Sequence, residues 1–127
     1  MKDFKEYYLE GVSILEEAKS TIDKVCDESL DFYLLQNSAQ KFLKALISYY
    51  GVKVEPDDHI DYLIEQIENQ TTIKFPSFKE QLLELAFVPY ENGCASSIVY
   101  EKRPKSFVEV VDKLKDFVLE EIPIFDS

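Results

Sequence analysis

The chain has 127 residues and a formal net charge of −11, with a pI near 4.5; apolar side chains make up 46% of it and aromatics 13%. That supplies a real core for one domain of ordinary size and excludes a disordered chain. The acidic excess works against non-specific binding of nucleic acid and against anionic membrane surfaces.

The opening "MKDFKEYYLEG" is charged and has no apolar stretch, so it does not read as a signal peptide. No apolar run approaches the roughly 20 residues of a transmembrane helix. Cys26 and Cys94 show no short-range pairing pattern and read as reduced thiols. These features predict a cytoplasmic protein without membrane association.

Glycine occurs three times, and the five prolines, at 56, 76, 89, 104 and 123, all lie outside the periodic segments. That is the punctuation of an all-helical chain. The first segment places Phe4, Tyr8, Gly11, Leu15, Ala18, Ile22 and Val25 at alternating spacings of four and three, one stripe of a long helix. Gly11 costs roughly 1 kcal/mol of helix propensity against alanine, which predicts close approach of a neighbouring helix there. A second helix is predicted from about Ser29 to Tyr50, stopped by Gly51. Its stripe of Phe32, Leu35, Ala39, Phe42, Leu46 and Tyr49 is widened by Leu34, Leu43, Ile47 and Tyr50. Only Asn37, Lys41, Lys44 and Ser48 form a narrow polar strip. So apolar a helix is either central to the bundle or shared with a partner chain.

A shorter helix follows over about Asp58 to Glu68, then a loop, "NQTTIKFPSF". "SFKEQLLELAF" reads as a helix with a capping box of Ser77 and Glu80, and the last helix, Ser106 to Ile122, repeats that spacing with Ser106 and Glu109. Its apolar face is Phe107, Val110, Val111, Leu114, Phe117 and Val118. Between these two helices lies "VPYENGCASSIVYEKRPK", the longest irregular stretch and a candidate functional loop. The fold predicted is one all-α domain over residues 1–127, an antiparallel up-and-down bundle of four main helices plus a short one.

The single histidine, His59, sits in "EPDDHID". A carboxylate-bridged metal bundle needs Glu-x-x-His pairs on facing helices, and zinc needs more histidines or spaced cysteines, so no metal and no cofactor are implied. Asp57 or Asp58 suits the start of the short helix as a cap, and His59 there reads first as a structural residue. Any nucleophilic or acid–base scheme would have to use His59, but no nucleophile elbow is present, and Cys94 reads as a plain loop thiol. The densest basic cluster is Lys102, Arg103 and Lys105, just ahead of the last helix, where free backbone N–H groups also attract anions. A nucleotide phosphate fits such a place; a solvated linker offsetting nearby acids fits it too.

The second helix resembles that of the HEPN family, the "higher eukaryotes and prokaryotes nucleotide-binding" domain. The resemblance rests on Gln36, Ala39, Gln40–Lys41, Lys44–Ala45–Leu46 and Gly51, then on Pro56, His59, Ile60 and Leu63. Gln40 stands where the family often has Glu, and two aspartates precede His59 where a small or hydroxyl residue is usual. The resemblance implies a helical bundle that dimerises. Many members are toxins that cut RNA without a metal, using an arginine shortly followed by a histidine; others lack that motif and pair with a small nucleotidyltransferase or bind nucleotides. Here the single arginine, Arg103, follows His59, so the ribonuclease motif cannot be written. The expectation is a non-catalytic homodimer in a toxin–antitoxin-like system, with Lys41, Lys44, His59, Lys102, Arg103 and Lys105 as ligand-binding candidates. Two alternatives stand beside it. One is a divergent metal-independent ribonuclease or nucleotide-processing enzyme using His59. The other is an acidic adaptor that docks on a basic partner.

Overall fold

The structure, a computed structural model, describes residues 3–22, 28–54, 59–88 and 104–125. They form five helices: α1 (Phe4–Thr21), α2 (Glu28–Tyr49), α3 (Ile60–Gln70), α4 (Lys79–Ala86) and α5 (Lys105–Glu121). No strand occurs among the described residues, and no helix there is long and apolar enough to cross a membrane.

The ends of the helices follow from local chemistry. Asp3 caps α1, its carboxylate accepting from the Glu6 N–H at 2.9 Å. Gly51 takes φ +75° just past α2. Its N–H donates to the Ser48 carbonyl at 3.1 Å, while Val52 N–H donates to Ile47 at 3.1 Å, a Schellman stop. At α3 the capping position is held by His59, whose side chain makes no capping bond; Asp57 and Asp58 lie outside the described residues.

Neither predicted capping box forms. Phe78 and Pro104, the residues before α4 and α5, are already in the right-handed helical region. The turn therefore starts earlier, and backbone carbonyls do the capping. Lys79 N–H donates to Pro76, Glu80 N–H to Ser77 and Phe107 N–H to Pro104. Ser77 thus falls ahead of the cap position, and Ser106 is already inside α5.

Antiparallel packing of α1 on α2 is fixed by pairs along the seam. Phe4 meets Tyr49, Tyr8 meets Phe42, the Ser38 hydroxyl donates to the Gly11 carbonyl at 2.7 Å, and Thr21 donates to Asp31. A Cβ built on Gly11 would stand 2.8 Å from two carbons of the Phe42 ring, so the glycine marks a close approach, as its place in the stripe predicts. Against α5 the pairs run Lys19 to Asp112 and Tyr8 to Phe125, again antiparallel, which leaves α2 and α5 pointing the same way.

Helix α2 is the axis of the bundle. It packs on α1, α3, α4 and α5, whereas the backbone of α1 does not come close to that of α3 or α4, nor that of α3 to α5. The neighbours wrap around α2 in the order α1, α5, α4, α3. All of Phe32, Leu34, Leu35, Ala39, Phe42, Leu43, Leu46 and Ile47 are buried. Of the two readings of its wide apolar face, the central one accounts for all of it except Tyr49 and Tyr50 at its end, which stay exposed. The gap in the ring, between α1 and α3, exposes the polar strip of Asn37, Lys41, Lys44 and Ser48, all half-buried.

The α1 seam also sets an alkaline limit. Burial first, and then the carboxylate of Asp116, raise the Tyr8 phenol above its ordinary value near 10. The folded chain thus holds that proton more tightly than the unfolded chain. The associated stability is complete below the unfolded value and is lost as pH climbs through the raised one. Urea midpoints measured between about pH 9 and pH 11.5 should fall less steeply in Tyr8→Phe than in the parent chain. Equal slopes would refute this assignment.

Candidate functional site

The basic cluster ahead of the last helix leads to the start of α5. Lys105 is the first residue of that helix and is exposed; Lys102 and Arg103 lie outside the described residues. Next to Lys105 the α1–α5 seam opens into a shallow cavity of about 360 Å³ lined by Lys19, Ile22, Lys105, Val108, Glu109 and Asp112. Two lysines are brought to one place from opposite ends of the chain. Ile22 and Val108 supply an apolar floor, the kind of surface that takes a base or ring, with the lysines at its rim.

The cavity is not simply cationic. Lys19 Nζ lies 3.0 Å from Asp112 Oδ1 and 3.7 Å from Glu16, and Lys115 reaches the same aspartate at 3.8 Å. All these groups are in part open to water, Lys19 and Asp112 by about one-third, so each pair contributes roughly 0–1 kcal/mol. An arriving phosphate could therefore draw Lys19 away from Asp112 at little cost. Lys105 and the α5 N-terminus add to the attraction for an anion there.

The other candidates lie elsewhere. Lys41 and Lys44 share the open strip of α2. Lys41 Nζ sits 3.4 Å from Glu10 and 5.8 Å from the centre of the Tyr7 ring, which ties it to α1. The Phe32–Phe107 contact sets the level of the α5 start on α2, and Lys41 is about 14 Å further along that helix, so the two basic groups do not converge on one ligand phosphate. His59 is exposed at the start of α3, and its backbone carbonyl accepts from Leu63 N–H at 3.0 Å. Among the described residues no three His, Cys, Asp or Glu side chains come together as a metal site.

Two roles were not foreseen. Lys19 joins Lys105 only because α1 packs on α5, a pairing with no local signature. Gln36, part of the family-like stretch of α2, donates to the carbonyls of Leu85 at 2.9 Å and Val88 at 3.1 Å, closing the end of α4. Its duty is structural. No known protein family, curated protein or solved structure matches this chain.

Proposed function

We propose that the protein is a non-catalytic, HEPN-like binding module of the cytoplasm. In this reading it holds the phosphate of a nucleotide at the start of α5 and works beside a second protein, such as a small nucleotidyltransferase. The observation that carries this is the cavity at a helix N-terminus that Lys19 and Lys105 both line, with Ile22 and Val108 as apolar lining and Glu109 and Asp112 beside them. His59, the residue on which the ribonuclease alternative depends, stands exposed on a different helix, outside that cavity. A homodimer belongs to the same reading; the chain itself buries the apolar stripe of α2 as far as Leu46 and leaves only Tyr49, with Tyr50 beside it, exposed at the end.

The test is calorimetric titration of the full chain with ATP and AMP. Saturable binding is expected, weakened by about tenfold in Lys105→Glu, since a charge reversal beside a phosphate is worth at least about 1.4 kcal/mol. Absence of binding at millimolar nucleotide, or binding indifferent to Lys105→Glu, would overturn the reading.

A further inference from the structure

The opposite end of α5 lies about 25 Å from its start and gathers exposed aromatic rings. Phe4 meets Tyr49 edge-on with centroids 5.0 Å apart, and Tyr49 meets Tyr50 at 5.1 Å. Phe125, past the end of α5, stands edge-on to Tyr8 at 5.8 Å. Tyr49 and Tyr50 are each 40% exposed, and Phe125 is 73% exposed. Residues Leu119 to Phe125 curl around a cavity of about 440 Å³ with Glu120 and Glu121 on its wall. Tyr50 borders this region: its phenol is held above the ordinary value by burial and then by the Glu121 carboxylate.

Covering the Phe125 ring would be favourable, yet the chain leaves it in water beside a concave, partly apolar wall. The charges around the rings indicate what covers it. Asp3, Glu6, Glu120 and Glu121 are all exposed there, against Lys5 and Lys53. A second copy docked through the same patch would set these carboxylates against their own images, and nucleic acid or anionic lipid would be repelled. A cation is suited on two counts. A guanidinium or ammonium group stacks on tyrosine faces and pairs with carboxylates at once.

We propose that this aromatic and acidic end is a docking surface for a segment of a partner protein that carries arginine or lysine beside apolar side chains. The arginine lies over Tyr49 and Tyr50 and pairs with Glu120 or Glu121, while an apolar neighbour fills the cavity against Phe125. This surface is independent of nucleotide binding at the start of α5, so either can fail without the other.

The experiment is a titration of the isotope-labelled full chain with a short synthetic peptide in which arginines flank a pair of leucines. The controls are the same peptide with citrulline for arginine and with glycine for leucine. Amide shifts are expected at Tyr49, Tyr50, Leu119 to Ile122, Ile124 and Phe125. Binding should weaken about tenfold with the citrulline peptide, in Phe125→Ala, and in the Glu120→Gln, Glu121→Gln double variant. All the substituted side chains are exposed, so circular dichroism and the melting temperature of the variants should match the parent. No shifts at millimolar peptide, equal binding of the citrulline peptide, or shifts mapping elsewhere would overturn the proposal. So would sedimentation showing a dimer that Phe125→Ala dissolves, because a second copy would then be the occupant.

Discussion

Phe42→Ala is expected to destabilise the protein by about 3–5 kcal/mol, the range for removing a buried aromatic ring. A domain of this size has about 5–15 kcal/mol in hand, so the loss is a third or more of the total, and the melting temperature should drop by about 12–20 °C. The ring is fully buried, contacts Tyr8 with centroids 5.6 Å apart, and lies over Gly11 so closely that a methyl group there would intrude. The seam can be tested as a cycle. Gly11→Ala alone gains about 1 kcal/mol of helix propensity and loses about 1–3 kcal/mol to overpacking, for a small net loss. In the Phe42→Ala background the clash is gone, and Gly11→Ala should stabilise. Urea unfolding of the four chains measures the coupling. Additivity within about 0.5 kcal/mol would mean that the glycine and the ring do not share the space described here.

The periodic parts of the fold were legible because they are written in side-chain spacing. The α5 stripe is the buried face observed, the α1 stripe is buried over Tyr8, Gly11, Leu15 and Ala18 but the helix stops at Thr21, with Val25 outside the described residues, and the α2 stripe is buried except for Tyr49. Gly51 stops α2 because a left-handed residue can be recognised from its type alone. The helix starts were less legible. A spacing of capping residue and Glu three positions on occurs at Asp3–Glu6, Ser77–Glu80 and Ser106–Glu109, and only in the first does the serine or aspartate occupy the cap position, where Asp3 makes the side-chain bond. The difference lies in the backbone before the helix. Asp3 is extended, as a cap requires, whereas Phe78 and Pro104 have already entered the helical region. Residue types at a spacing do not encode that.

For α2 the sequence left two occupants for the apolar face, and tertiary packing chose between them by surrounding it with four helices. The candidate site divides the same way. Lys105 could be read as part of a basic run at a helix start, but its meeting with Lys19 depends on how α1 lies on α5. The aromatic end was hidden for the same reason. Tyr49 and Tyr50 belong by periodicity to the core stripe and its margin, and only the end of the bundle leaves them partly in water.

The second large effect concerns Phe117. Among the five helices α4 has the weakest local case: eight residues, no side-chain cap, and a length at which an isolated helix is unstable in water. It fills the space between α3 and α5, whose backbones do not come close to each other. Its ion pair to α3, Lys79 to Glu68 at 2.6 Å, is about one-third exposed and contributes roughly 0–1 kcal/mol. What holds it is apolar. Leu82 and Leu85 are fully buried, and the Phe117 ring of α5 meets Phe75 at 5.4 Å and Phe78 at 5.7 Å, clamping the connection that delivers α4 to the bundle. Phe117→Ala should therefore cost about 3–5 kcal/mol, against less than about 1 kcal/mol for Lys79→Ala. The loss should also be uneven. Amide hydrogen exchange in the variant should rise most over residues 75–88, with α1 and the first half of α2 keeping most of their protection. A uniform rise across all five helices would show that α4 is bound into the global unfolding unit by contacts other than this clamp.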